Sequence, residues 1–392
     1  MDRLIYLDNA ATSYPKPEEV YSFMDDFYRK NGVNPGRSGY DMCLVAGQIL
    51  EETRKLLTRE WNGTDPNRLV FGYNSTDALN LAILGLLQPG DHAITTNLEH
   101  NSVLRPLHLL SLSGVEVEHV PFDAKGFVHP DEFRRRIKKN TRLVAVNHGS
   151  NVIGTVQPIE AIGRICRENG VLFLIDASQT AGMIPIDMQY QHLDVICFTG
   201  HKSLMGPMGI GGMYVREGVD ISHTRAGGTG VRSAVRAHLD EYPYRMEYGT
   251  PNLPGIAGLN AGVRWIQSRG IGNIYRHEME LLRRLRDGLS SIDGVVLYCQ
   301  DDLRDHISVL IFNIVGLEAM DVGTMLDVDY GIASRTGLHC APRVHEQLGI
   351  DKIHGAVRLG IGPFNTPEEV DETVGAVREI AKVATKKKLQ PS

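Results

Sequence analysis

Short apolar runs alternate with longer stretches whose apolar positions recur every three or four residues, through roughly the first half of the chain. RLVFGY (68–73) leads into STDALNLAILGLL (75–87), and HAITTN (92–97) into VLRPLHLLSL (103–112). VEVEHVPF (115–122), TRLVAVNHGSN (141–151), the helical pattern IEAIGRICREN (159–169), VLFLIDAS (171–178) and HLDVICFTG (192–200) follow. β-rich runs separated by helical patterns of this kind predict βαβ units and a largely parallel sheet. LFLI and DVICF are continuously apolar, as strands buried on both faces must be.

Beyond about Gly255 the pattern changes. One long helical stretch, GLNAGV through LSSI (258–292), is followed by the strands VVLYC and HISVLIFNIVG. A last helix, PEEVDETVGAVREIAKVA, is predicted to start at Pro367 with Thr366 as its N-cap. The expected architecture is a large α/β domain over 1–260 and a smaller α+β domain over 261–392, onto which the extreme N-terminus can pack. The terminal KKKLQPS (386–392) is expected to fray.

Composition narrows the function classes. With 41 basic and 47 acidic residues the net charge is −6, so no basic field for nucleic acid is expected. Five scattered cysteines without a CxxC pair point to a reducing compartment rather than a disulfide framework. No run approaches the roughly 18 apolar residues of a membrane span, and the N-terminal stretch lacks a signal peptide's apolar run. The cytoplasm is the expected location.

The densest candidate chemistry lies in DVICFTGHKSLMGPMGIGGMYV (194–215), where Lys202 follows a strand end inside a glycine-rich loop. Desolvation there would lower its pKa and make it a better amine nucleophile toward an aldehyde. A P-loop requires glycine before the lysine, but His201 stands there; GPMGIGG is followed by a strand-like GMYV instead of the helix of a dinucleotide fingerprint. Asp176 ends an apolar strand, where carboxyl ends line the ligand crevice of a parallel sheet, and could pair with a protonated pyridine nitrogen.

Ser75 and Thr76 stand where a helix begins, a natural phosphate site. His100 follows another strand, able to stack on a ring or move protons. SRTGLHCAP (334–342) puts Cys340 in a polar loop beside His339 and five residues after Arg335, which could clamp a carboxylate. The other four cysteines lie in apolar or amphipathic runs and read as packing residues. A metal site of His339, Cys340 and His345 matches no familiar zinc spacing. Singly, each signal has a plain alternative: a solvated lysine, a capping Asp176, Ser75 or Thr76, a solvated His100.

In this order along the chain, the motifs resemble the cysteine desulfurase and selenocysteine lyase family within the class-V, fold-type I pyridoxal-phosphate transferases. The resemblance runs from YLDNAAT (6–12) through LEHNS, NHGSNVIGT, DASQTAG, FTGHKSLMGPMGIG and YGTPNLPGIAGL to RTGLHCAP and VRLGIGPFNTPEEVD. It implies that Lys202 is the Schiff-base lysine, that Asp176 faces the pyridine nitrogen and that Gln179 binds the phenolic oxygen. It implies further that His100 stacks on the ring, and that Ser75, Thr76, Thr199 and His201 hold the phosphate, with Thr250 reaching in from a second subunit. Asn151, Arg335 and Arg358 would bind substrate, and Cys340 would carry a persulfide.

The implied protein is a homodimeric cysteine desulfurase that passes sulfur to a protein acceptor. Selenocysteine lyase, cysteine-sulfinate desulfinase and an inactive sulfur-transfer scaffold are the alternatives. Leu338 and Asn101 replace histidines common among relatives, which bears on substrate preference.

Overall fold

The computed structural model describes residues 4–36, 38–299 and 301–389, with side chains through residue 383. β1 (Ile5–Tyr6) is followed by α1 (Glu18–Asn31) and α2 (Asp41–Glu60). Strands and helices then alternate: β2 (Leu69–Gly72), α3 (Ser75–Leu86), β3 (His92–Thr96), α4 (Asn101–Ser111), β4 (Glu116–Val120), α5 (Pro130–Arg136), β5 (Thr141–Asn147), α6 (Ile159–Glu168), β6 (Leu172–Asp176), β7 (Val195–Thr199) and β8 (Gly211–Val215). The rest comprises α7 (Leu253–Arg269), α8 (Ile271–Ser290), β9 (Val295–Leu297), β10 (Val309–Ile314), α9 (Ala319–Tyr330), β11 (Ile332–Ala333), β12 (Arg335–Gly337), α10 (Pro342–Leu348), β13 (Ala356–Gly360) and α11 (Pro367–Leu389).

A seven-stranded sheet has the order β2-β8-β7-β6-β5-β3-β4. Its neighbours are parallel from β7 through β4, and β8 runs antiparallel to both β7 and β2. Every residue of β3 and β7 is buried, which explains their continuously apolar or small-polar sequences. The chain moves outward from β3 to β4 and then returns to place β5 on the other side of β3. That reversal opens a crevice beyond the carboxyl ends of β3 and β5, the usual ligand position in an open α/β sheet.

A second, antiparallel sheet of order β12-β13-β10-β9 carries its own apolar cluster, including Leu282, Leu285, Leu310, Phe312 and Val377. β1 pairs in parallel with β11, and Ile5 and Leu7 belong to this second cluster. The N-terminal segment therefore spans both sheets, because Thr12 and Ser13 hydrogen-bond the carbonyls of His201 and Lys202 beside the large one.

The single long helix expected over 258–292 is two helices. α7 ends at Gly270, whose φ of +81° suits glycine, and α8 begins at Ile271. The final helix starts as predicted at Pro367, behind a capping box: Thr366 Oγ1 accepts from Glu369 N–H at 3.3 Å and Glu369 Oε2 accepts from Thr366 N–H at 3.2 Å. Its backbone is helical to Leu389, so residues 386–389 of the stretch expected to fray fall within this helix, and residues 390–392 lie outside the described residues. Among the described residues, no helix is long and apolar enough to cross a membrane.

Candidate functional site

The carboxyl ends of β3, β5, β6 and β7 each deliver chemistry-bearing side chains to the crevice. Asp176 closes β6 and is buried, and its Oδ1 accepts from the Ser75 hydroxyl at 3.3 Å and from Ser178 N–H at 3.0 Å. Ser75 opens α3, but the cap itself is Asn74, whose side chain accepts from Asp77 N–H; neither Ser75 nor Thr76 serves as the cap. Gly211 of β8 pairs with Thr199, and a Cβ on it would lie 2.7 Å from Asn74 Cα. Only glycine there lets the start of α3 close against the end of β7, which brings Ser75 and Thr199 to one place.

Two polar atoms there lack protein partners although they are buried: Thr199 Oγ1 and His201 Nδ1. Leaving such groups unpaired costs about 1–3 kcal/mol each. Together with the free N–H groups and dipole at the start of α3 they fit a bound phosphate. Thr76 is exposed beside them. Thr250 is not drawn into this group; it is exposed, hydrogen-bonds Asn34 Nδ2 at 3.5 Å, and lines a cavity of about 1220 Å³ with Tyr73, Asp77 and Gly209.

Lys202 follows directly in the loop after β7. Burial pushes its amine down to about 8; Arg358 and Arg335 push the same way, while Asp176 and Asp8 oppose them. The loop is shaped by close backbone approach. Met205 N–H donates to the Lys202 carbonyl at 2.9 Å, and Gly182 has φ +86° with no room for a Cβ, which would stand 2.5 Å from the Ser203 carbonyl. Gln179 is buried and donates through Nε2 to the Ala10 carbonyl at 2.9 Å.

His100 caps α4, its Nδ1 accepting from Ser102 N–H, and burial lowers it to about 4, so the ring is neutral at physiological pH. Behind it lies Glu99, which sequence reasoning passed over. Its Oε1 accepts from Thr96 Oγ1 at 2.7 Å and Asn147 N–H at 2.9 Å, and burial pushes its carboxyl up to about 8. The legible signal was an acid set between an apolar strand and a candidate histidine.

Cys340 reaches the crevice from the second sheet. Arg335 on β12 places NH2 3.3 Å from Cys340 Sγ, and Asn101 N–H donates to the Cys340 carbonyl at 2.7 Å. Arg358 on β13 is buried, donating to Asp8 Oδ1 at 2.7 Å and to the Asn151 carbonyl at 3.0 Å. Asn151 Nδ2 donates to the His339 carbonyl, while Asn151 Oδ1 and Arg358 Nε are buried without protein partners. Asp8 and Lys16 were not anticipated; Lys16 Nζ lies 2.6 Å from the His201 carbonyl, and burial lowers its amine to about 8.

Of the other cysteines, Cys43, Cys166 and Cys197 are buried and Cys299 is half-buried. Burial pushes the thiols of Cys166, Cys197 and Cys299 up, away from the reactive thiolate. Among the described residues, the group with ligand atoms mutually within 4.8 Å is His92, Glu116 and Glu118, not His339, Cys340 and His345. Lys138 Nζ already lies 2.6 Å from Glu116 and 2.5 Å from Glu118, so those charges are answered without an ion.

Comparison with known proteins places the chain beside a family of enzymes. The family model for aminotransferase class-V matches residues 5–373. A probable cysteine desulfurase of Methanothermobacter thermautotrophicus is 34% identical, covering 96% of this chain and 94% of its own. One from Pyrococcus abyssi is 35% identical, covering 97% and 94%. The apo structure of a cysteine desulfurase from Thermococcus onnurineus NA1 superposes with a TM-score of 0.90 at 36% identity, covering 97% of this chain and 95% of that one.

Proposed function

The chain belongs to the class-V aminotransferase family and, within it, to the cysteine desulfurases, and we propose that it converts L-cysteine to L-alanine with pyridoxal 5′-phosphate as cofactor, taking the sulfur onto Cys340 as a persulfide. The observation that carries this reading is the meeting of Lys202, Asp176 and the partnerless Thr199 and His201 from the large sheet with Arg335 and Cys340 from the small one. An aminotransferase would have no use for a cysteine held against a guanidinium.

Ser75, Thr76, Thr199 and His201 would hold the phosphate, Asp176 the pyridine nitrogen, Gln179 the phenolic oxygen, and neutral His100 the ring face. The cofactor, when bound, supplies an aldehyde for amines and a protonated ring that draws electrons from the substrate α-carbon. Lys202 would hold the cofactor's aldehyde, and its amine, lowered to about 8 by burial, would take the substrate's α-proton. Asn151, Arg335 and Arg358 orient the substrate carboxylate; the partnerless N–H donor at Arg358 Nε supports that assignment. Cys340 Sγ, as thiolate, attacks the substrate sulfur; the S–S bond forms as the C–S bond breaks and its electron pair stays with carbon. One proton to that carbon and the return of the α-proton from Lys202 complete alanine, and the persulfide passes to an acceptor.

The proposal includes residues 1–260 as the cofactor-binding domain, 261–392 as the domain that carries the cysteine loop, and a homodimer in which Thr250 serves the partner's site. Alanine formation from cysteine, compared between native protein and Cys340→Ala with added reductant, tests it. Turnover that vanishes in the variant supports the desulfurase. Turnover confined to selenocysteine and surviving in the variant favours a selenocysteine lyase, because a selenol leaves without nucleophilic help.

A further inference from the structure

The Cys340 loop is held in a costly backbone conformation. His339 and Cys340 are consecutive non-glycine residues with φ +50° and +59°, a strained conformation that persists only where the surroundings enforce it. Three hydrogen bonds of the loop have already been met or are local: Asn101 N–H to the Cys340 carbonyl, Asn151 Nδ2 to the His339 carbonyl, and Ala341 N–H to the Leu338 carbonyl at 3.0 Å. All three grip the loop by its backbone.

A fourth restraint comes from His345, on α10 just beyond the loop. Its ring is fully buried, with Nε2 3.4 Å from His339 Nδ1 and ring centroids 5.4 Å apart. Its Nδ1 is buried without a protein partner. The His339 ring is buried too, its Nε2 turned toward the Arg335 carbonyl at 3.4 Å. The chain of contacts thus runs from α10 through His345 and His339 to β12, bracing the residue that precedes Cys340 and the strand that bears Arg335. Neither ring is within hydrogen-bond reach of the Cys340 sulfur, whose contact is Arg335.

We propose that His345 is a positioning residue for sulfur transfer: through His339 it fixes the strained loop so that Cys340 Sγ stays beside Arg335 and faces the substrate sulfur. This rests on the desulfurase reading above. A residue that acts only through the cysteine affects the step the cysteine performs and spares steps that do not need it.

The holoenzyme variant His345→Phe fills the ring's space without its nitrogens, and His345→Gln restores a polar hydrogen-bonding group. Expected for His345→Phe is a fall in kcat for alanine from cysteine of tenfold or more, with KM changed less than threefold. Turnover of selenocysteine should stay within twofold of native, and His345→Gln should recover most of the cysteine turnover. Independently of turnover, peptide-resolved iodoacetamide labelling should show Cys340 alkylated at least threefold faster in His345→Phe, because the released loop exposes a half-buried thiol. Equal loss on both substrates, or unchanged labelling in His345→Phe, overturns the inference. Native protein inactive on cysteine would instead overturn the desulfurase reading, while the labelling comparison still decides the role of His345.

Discussion

Arg335 and Arg358 stand directly opposite one another across the antiparallel pairing of β12 and β13. Two guanidiniums at a facing position repel unless each is answered. Arg358 is answered by Asp8, and Arg335 extends toward Cys340 Sγ. The pair leaves a positive field where the proposed substrate carboxylate and the attacking thiolate would sit.

Arg335→Lys keeps the charge but loses the planar fork that grips a carboxylate at two points. KM for cysteine should rise about tenfold or more, corresponding to about 1.4 kcal/mol of lost binding, with thermal stability little changed. An unaltered KM in steady-state assays would remove Arg335 from substrate binding.

Lys202 must be neutral to capture an aldehyde. A lysine ordinarily becomes neutral near pH 10.4, but burial brings this one down to about 8. Capture of pyridoxal phosphate by the apoprotein, followed by borohydride trapping on Lys202, should therefore accelerate up to about pH 8 and then level off. A rate still rising beyond pH 10 would show that the amine is not desolvated in solution.

Gly182 links the end of β6 to the lysine loop, and a methyl group there meets the Ser203 backbone at a positive φ. Gly182→Ala should destabilise the fold by about 1–3 kcal/mol and displace the loop. Weaker pyridoxal phosphate binding by equilibrium titration, together with a lower Tm, is the expected outcome; native affinity would mean the loop adapts.

Glu278, buried on α8 against the Ser308 hydroxyl, is pushed up to about 8 by burial. An unfolded glutamate releases its proton near 4.3, so between about pH 4.5 and 8 the folded state holds a proton that the unfolded state has lost. Stability therefore falls as pH rises through that window. Glu278→Gln removes the dependence and should gain on the order of 3–4 kcal/mol at pH 8 relative to its effect at pH 5. Denaturant melts at the two pH values check the sign; an equal effect at both would show Glu278 ionised in the folded protein.

Much of the candidate site was legible because local pattern and local chemistry coincide. Asp176 and Thr199 close apolar runs, and Lys202 follows a strand end in a glycine-rich loop, so periodicity alone placed them at the carboxyl edge of a parallel sheet. Asn74 shows where that logic slips: three adjacent polar residues can each cap a helix, and only the backbone angles chose Asn74 over Ser75 and Thr76. The break at Gly270 was hidden because the apolar repeat continues on both sides of it.

The alternating elements, the central sheet and the cysteine desulfurase resemblance were all readable from the residues, since these follow from short-range periodicity and compact motifs. Only tertiary structure decided that Asp8 neutralises Arg358 across 350 residues, that Glu99 lies dry behind His100, and that His345 braces the Cys340 loop. Those relationships depend on burial and on contacts between distant segments, and neither desolvation nor long-range pairing is written in any local stretch of residues.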